Sequence, residues 1–400
     1  MRGIPASGVY LFILVILLIE ITAYLGIIRL VDGKKQRRLV NLSYWLITII
    51  FLSVWSAAFF NPEKIRHTSS YGFFYFAIMV SFLNLLPKAV IAFFTIVAFP
   101  FGIRKSRYMQ KTILLGGLII SLGIILDLGY GILFGRKEIR VEHVKVGFAD
   151  LPESLHGLRI VQLSDLHFGS FENNHFFSRI VSKINNLQPD LILFTGDLVN
   201  NFYQEIAGFE QQLGLLNARF GKFAILGNHD YGDYSDWGSE AEKDYNQKMI
   251  DKKIEAAGFR LLRNSSEKVN INDTALYIVG VENWGHKPFR QYADLKMATN
   301  DVGPGYFSIL MTHDPAHWNS KILSQTAIPL TLSGHTHGGQ FSFKIAGISF
   351  SPVWFAEKDW AGLYGKGNQY LYVNRGIGCI GFRGRIDQSP EITVLTLSGK

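Results

Sequence analysis

Cysteine is almost absent: the 400-residue chain has one, Cys379. That excludes an intrachain disulfide and a cysteine-rich zinc site. Charge is sparse as well, with 18% charged against 48% hydrophobic residues. The scarcity is uneven. Apolar residues concentrate before residue 136, and the remaining 262 or so read as an ordinary globular domain, long enough to bury one good core. The formal net charge of +8 is not a nucleic-acid signature, because much of the excess lies in short basic loops between apolar stretches. No nucleic-acid partner is expected. The first apolar run also lacks a small-residue cleavage site before the next one, so no cleaved signal peptide is expected.

Residues 1–135 hold four apolar stretches, about 9–30, 39–60, 71–102 and 112–135. Each reaches the roughly 20 helical residues needed to cross a hydrocarbon core. The third carries Pro87-Lys88 at its middle, which predicts a kinked span, with a re-entrant hairpin as the alternative. Lys34, Lys35, Arg37 and Arg38 follow the first stretch, and Arg104, Lys105, Arg107 and Lys111 follow the third. The loop between the second and third has only Lys64 and Arg66. Basic loops stay cytoplasmic, so the expectation is a multi-pass protein of a bacterial plasma membrane with its C-terminal domain outside. Arg136, Lys137 and Arg140 pull against that placement. Glu20 and Asp127 lie within apolar spans, where a carboxylate is costly and is either functional or paired.

From about Ile139 the texture changes to short β-prone runs alternating with amphipathic segments, which indicates α/β layering. Helices are expected over His175 to Asp190, Glu205 to Asn217 and Glu240 to Ala257. Five apolar runs end in metal-competent residues. "LRIVQLSDLH" ends in Asp165 and His167, "LILFTGD" in Asp197, and "KFAILGNHD" in Asn228, His229 and Asp230. "YFSILMTHD" brings His313, and "IPLTLSGHTH" brings His335 and His337. Open α/β sheets place ligand sites beyond the carboxyl ends of their strands. One such ending is a common turn; five in succession point to a site.

The donors are carboxylates, one amide oxygen and imidazoles, with no thiolate. That set suits two divalent transition metals, Mn, Fe, Zn or Co, better than Ca or Mg. Such a pair clamps a phosphoryl group and activates a water. His229, with Asp230 beside it, is the candidate for the leaving-group proton.

The motifs "SDLH", "TGDLVN", "GNHD", "MTHDP" and "GHTHGGQ" resemble the calcineurin-like metallophosphoesterase superfamily over residues 139–400. "VNRGIG" followed by "PEITVLTL" resembles its bacterial membrane-associated subgroup, some of whose members hydrolyse UDP-2,3-diacylglucosamine. The resemblance implies a four-layer α/β/β/α sandwich after a bundle of about four transmembrane helices. It implies one metal on Asp165, His167 and His337, a second on Asn228, His313 and His335, and Asp197 bridging them. It also implies His229 as leaving-group acid or transition-state stabiliser, with Asp230 as its orienting partner. One departure bears on substrate. The superfamily's protein phosphatases carry Asp-Arg-Gly after the bridging aspartate, whereas this chain reads "GDLVNNFYQ".

The expected function is therefore a membrane-anchored phosphoesterase acting on a phosphodiester or pyrophosphate of a lipid or lipid-linked substrate, with membrane lipids as neighbours. The alternatives are a tethered phosphodiesterase for a soluble nucleotide and a non-catalytic ligand-binding sensor. Oligomeric state is not legible. His143, His156, His175, His286 and His317 are expected at the surface or at helix ends, and Cys379 is expected to be structural. Tyr231 to Lys248 reads either as a substrate-facing loop or as a plain one. Asn374 to Arg385, with three arginines, reads either as an approach to phosphate or anionic lipid or as an ordinary turn.

Overall fold

The computed structural model describes residues 6–60, 71–104, 106–285, 290–345 and 348–400. Lys64, Arg66, Lys105 and His286, on which expectations above rest, lie outside the described residues. The chain divides into two compact units: residues up to Leu133 with Gly381–Arg383, and Phe134–Ile380 with Gly384–Lys400.

The first unit contains helices α1 (Ala6–Arg29), α2 (Lys34–Phe60), α3 (Tyr71–Ile103) and α4 (Arg107–Leu133). All four are long and apolar enough to cross a membrane. Large side chains such as Leu11, Phe12, Ile47, Phe93, Ile96 and Leu122 stand exposed on their outer faces, as expected of surfaces solvated by lipid. α3 is one continuous helix of 33 residues with Pro87 inside it, so the hairpin alternative is discarded. Ser121 Oγ of α4 donates to the Pro87 carbonyl (2.9 Å), an interhelical contact at the proline turn.

Glu20 is buried in this unit, and both its oxygens are engaged. Oε2 accepts from Lys88 Nζ and Thr48 Oγ1 (2.7 Å each), and Oε1 accepts from Asn84 Nδ2 (2.7 Å). Lys88 also lies 4.3 Å from the centre of the Tyr44 ring. Three helices are thereby joined by one neutral ion pair. Asp127, in contrast, is on the exposed face of α4.

The second unit contains fourteen strands among the described residues. They are β1 (Arg140–Phe148), β2 (Arg159–Leu163), β3 (Leu191–Phe194), β4 (Lys222–Ala224), β5 (Arg260–Leu261), β6 (Ser265–Ile271), β7 (Thr274–Gly280), β8 (Phe307–Met311), β9 (Leu330–Ser333), β10 (Phe343–Ile345), β11 (Ile348–Phe350), β12 (Gly362–Lys366), β13 (Gln369–Val373) and β14 (Glu391–Gly399). One six-stranded sheet has the order β1-β14-β2-β3-β4-β5, and the other β12-β13-β9-β8-β7-β6. β2, β3 and β4 are mutually parallel, as are β7, β8 and β9.

Strand alternation shows how the layers stack, since successive side chains point to opposite faces. Ile160, Leu191 and Leu193 of the first sheet share a core with Ile278, Ile309, Leu330 and Leu332 of the second. Their neighbours Val161, Ile192 and Phe194 face the other way, onto Phe177, Ile180 and Ile184 of helix α5 (Asn174–Asn186). That outer layer also takes Leu213 of α6 (Glu210–Gly214) and Ile250 and Ile254 of α7 (Glu240–Ala256). On the far side Val279, Leu310 and Val373 pack with Ala298 of α8 (Leu295–Thr299) and with Trp318 and Ile322. The result is the α/β/β/α sandwich. Burial on both faces explains why the parallel strands read as unbroken apolar runs.

The helix expected over Glu205 to Asn217 is shorter. A 3₁₀ turn at Tyr203–Ile206 precedes Gly208, which has a left-handed φ of 86°, and only α6 follows. His317 lies at a helix end, at the start of the turn Trp318–Ile322, but is buried there, with its ring stacked on Trp284 (4.6 Å) and Nδ1 3.1 Å from Thr312 Oγ1.

Candidate metal centre

β2, β3 and β9 end at the same edge of the sandwich, and each chain turns there through a left-handed residue. Asp165, His167, Asp197, His335 and His337 have φ of 52°, 42°, 59°, 72° and 53°. Left-handed backbone costs a non-glycine residue roughly 1–3 kcal/mol, so five at one edge are a concentration of strain held by the surrounding fold. The intervening glycines allow the crowding. A Cβ on Gly227 would lie 2.1 Å from Asp197 Oδ1, and one on Gly334 would lie 2.5 Å from Asp165 Oδ2.

The structure brings all seven expected ligand residues together. Their donor atoms form one continuous path with Asp197 Oδ2 at the middle. In one direction Asp197 Oδ2 is 3.3 Å from His167 Nε2, which is 3.1 Å from His337 Nε2, itself 3.3 Å from Asp165 Oδ1. In the other it is 3.2 Å from His313 Nε2, which is 3.3 Å from His335 Nδ1, itself 2.9 Å from Asn228 Oδ1. Two overlapping groups that share Asp165, Asp165-His167-His337 and Asp165-Asp197-His313, are each compact enough to surround an ion.

The donor set fits metals on its own chemistry. Two imidazole nitrogens in hydrogen-bond contact can share only one proton, and this centre has such a pair on each side of Asp197, at 3.1 and 3.3 Å. A cation between them satisfies both lone pairs. His313 Nδ1 lies 2.8 Å from the Thr195 carbonyl, which fixes the tautomer and turns Nε2 inward.

Burial alone would raise Asp197, but the His313 and His229 rings outweigh it and hold the carboxyl well below its usual range. His337 and His313 do the same for Asp165. Burial would lower His313, but the facing Asp197 carboxylate pushes it up to about 10. Asp197 likewise raises His167 against burial. Burial lowers His337 to about 4, with the His167 and Arg385 charges adding to it and the Asp165 carboxylate opposing.

His229 lies beside this path, its ring 4.9 Å from that of His167. Its backbone N–H donates to Asp197 Oδ1 (2.9 Å), and its Nδ1 is 2.8 Å from the Asn200 carbonyl. Burial depresses its imidazole to about 4. The expected partnership with Asp230 is corrected. Asp230 does not meet the His229 ring; its carboxylate accepts the backbone N–H groups of Asp197 (2.9 Å), Leu198 (2.8 Å), Val199 (3.2 Å) and Gly227 (2.9 Å). A carboxylate buried at a loop crossing binds the nearest unpaired amides, and here it ties the Asp197 turn to the Asn228 turn.

Three contributors were not assigned from sequence. Tyr234 stacks on His229 (4.3 Å, 16°), and its hydroxyl accepts from Asn228 Nδ2 (2.7 Å), which leaves Asn228 Oδ1 turned toward His335. Tyr234 lies in the segment read as either a substrate-facing or a plain loop. Glu205 is buried and accepts from the backbone of Gly169, Asn200, Asn201 and Phe202, which holds the carbonyl that His229 faces. Arg385 is buried and donates to the carbonyls of Gly378, Arg375 and Gln388. Arg375 pairs with Glu391. The glycine-rich segment therefore places Arg375 and Arg385 in internal networks.

Sheet edges that gather carboxylates and imidazoles around one central carboxylate define a dinuclear metallohydrolase centre. Residues 158–339 match the family model for calcineurin-like phosphoesterases. An uncharacterized metallophosphoesterase of Bacillus subtilis, YkuE, is 33% identical over 252 residues, 62% of this chain and 81% of that protein. A zebrafish transmembrane protein with metallophosphoesterase domain is 29% identical, over 73% of this chain and 66% of that protein. The UDP-2,3-diacylglucosamine pyrophosphatase LpxG of Chlamydia muridarum is 30% identical, over 60% of this chain and 84% of that protein. The chain belongs to the calcineurin-like phosphoesterase family and is a metal-dependent phosphoric ester hydrolase. With four apolar helices and membrane-associated relatives, it is a membrane protein.

Proposed function

We propose that this protein is a membrane-anchored hydrolase of a phosphodiester or pyrophosphate bond in a lipid or lipid-linked substrate, with residues 139–400 as its catalytic domain. The observation that carries the reading is the path of donor atoms centred on Asp197. Along it Asp165, His167 and His337 would hold one divalent ion, and Asn228, His313 and His335 the other, with Asp197 shared. The imidazole-rich set favours Mn, Fe, Zn or Co. When bound, such a pair neutralises the phosphoryl oxygens and lowers the pKa of water.

The protein's own groups manage protons and position. The attacking water loses its proton to solvent on one side of phosphorus, and the leaving oxygen requires one on the other. With His229 Nδ1–H on the Asn200 carbonyl, Nε2 is the nitrogen that would deliver it. Asp230 acts through the backbone, holding the Asp197 and Asn228 turns in register. We place the protein in a bacterial plasma membrane, and the basic-loop counts support the outer side for its domain.

Lipid-linked chemistry is supported by the membrane spans and by the LpxG relative, whose name states UDP-2,3-diacylglucosamine as substrate. The test uses the full chain in lipid nanodiscs, loaded with Mn. Release of the nucleotide from UDP-2,3-diacylglucosamine is compared with hydrolysis of soluble nucleotide diphosphates and cyclic diesters. Higher kcat/KM on the lipid-linked diphosphate supports the reading. Faster turnover of the soluble nucleotides would replace it with a tethered nucleotide phosphodiesterase.

A further inference from the structure

A second polar concavity lies in the second unit and shares no residue with the metal centre. Its volume is about 150 Å³, enough for a phosphate group. Arg136, Lys137 and Arg179 contribute cations to its lining, and Glu172 is the one carboxylate. The Arg136 side chain is only 12% exposed, so a guanidinium is held largely out of solvent at the wall.

Glu172, 48% exposed, pairs with Arg136 and lies 3.8 Å from Lys137. A solvated carboxylate of this kind is a weak competitor for a phosphate, which offers more acceptor oxygens to a guanidinium. Arg179 has no ion-pair partner among the described residues, so three cations face one anion. The concavity also receives the start of α5, with Asn173, His175 and Phe176 in its lining. Phe171, Phe176 and Ile377 supply apolar wall beside these charges, which suits an anion attached to an organic stem better than a bare ion.

We propose that this concavity binds a phosphate group supplied by the headgroup of an anionic membrane lipid. Connectivity argues for the lipid source. Arg136 follows Leu133, the last residue of the α4 span, by three residues, at most about 11 Å of chain. Basic residues within about a Debye length of a bilayer are attracted to anionic headgroups in whichever leaflet the domain faces. The proposal rests on the membrane spans and not on which bond the metal centre hydrolyses.

The experiment is hydrogen exchange on the full chain, with metals removed by a chelator so that the catalytic centre offers phosphate no ions. The reporters are the amides of Ser170 to Phe177, because first-turn amides lack intrahelical partners and exchange readily. Wild type is compared in phosphatidylcholine nanodiscs, in phosphatidylglycerol nanodiscs, and in phosphatidylcholine nanodiscs with inorganic phosphate. Phosphatidylglycerol is expected to slow exchange there relative to phosphatidylcholine. Arg179→Gln, at an exposed position, is expected to weaken that protection roughly tenfold, the loss of one charge-assisted contact. Arg136→Gln with Arg179→Gln is expected to abolish it while exchange in β3 stays unchanged. Equal exchange in both lipids, or protection that survives the double substitution, would overturn the site. Protection by inorganic phosphate without protection by phosphatidylglycerol would overturn the lipid source.

Discussion

In the four-helix unit Glu20 faces Lys88, Thr48 and Asn84, and each carboxylate oxygen has a donor. At the strand ends of the second unit Asp197 faces imidazoles whose nitrogens point at one another, on backbone that adopts left-handed φ at five residues. Both places bury charge. The first gives both carboxylate oxygens donors from the chain's own atoms, in unbroken helix, and leaves Asn84 Oδ1 as its one unpartnered atom among the described residues. The second holds strained residues whose donors the chain cannot mutually satisfy. That contrast separates a polar cluster that joins helices from one arranged for ions, and it reads Glu20 as structural without reference to any relative.

Substitutions can break the contrast. The largest effect is expected at His229, where His229→Ala should lower kcat by about 10²–10⁴-fold with metal content unchanged. Loss of bound metal instead would make His229 a ligand. Next is the ion pair in the helices. Glu20→Leu leaves Lys88 uncompensated and should cost about 3–5 kcal/mol of stability in full-chain unfolding, with most of it recovered in Glu20→Leu/Lys88→Leu. Solubilised Glu20→Leu protein that remains folded should keep its kcat, and a collapse of kcat at full stability would give Glu20 a catalytic role.

A smaller effect is expected of Tyr234→Phe, which keeps the ring on His229 but releases Asn228 Nδ2. Residues that orient ligands are worth roughly 10–100-fold in metal affinity or activity. Titration calorimetry with Mn should show one of the two sites weakened, and two unchanged sites would deny Tyr234 that role. The gentlest probe is pH. His313, pushed up to about 10 by the facing Asp197 carboxylate, holds a proton at neutral pH that an ion must displace, and Asp197 raises His167 in the same direction. Metal affinity should therefore fall as pH drops from 8 to 6, with proton release visible when buffers of different ionisation heat are compared. Affinity independent of pH would contradict it.

The residues that gather at this centre were legible because each sits at the end of an apolar run, where strand geometry forces the next residues to one edge. The layers were legible for the same reason: runs buried on both faces leave few other packings. What sequence did not yield depends on contacts between distant turns. Asp230 follows His229 directly, yet its carboxylate closes on amides of the Asp197 turn. Arg385, in an apparently open glycine-rich segment, is buried among carbonyls with its Nη2 3.3 Å from His337 Nδ1. Tyr234 carried no periodic or motif signal, and its position depends on how the loop after Asp230 folds back. The broken helix near Gly208 reflects Glu205 capping four amides, which competes with helix propagation.

The measurement that bears most directly on the dinuclear centre pairs metal stoichiometry with turnover. Full-length protein is stripped of metal, reloaded with Mn, and assayed on an aryl phosphodiester beside Asp197→Asn. Two ions per chain in wild type, metal-dependent turnover, and loss of both occupancy and turnover in Asp197→Asn are expected. Turnover that persists without metal, or full activity in Asp197→Asn, would contradict a centre built on a shared aspartate.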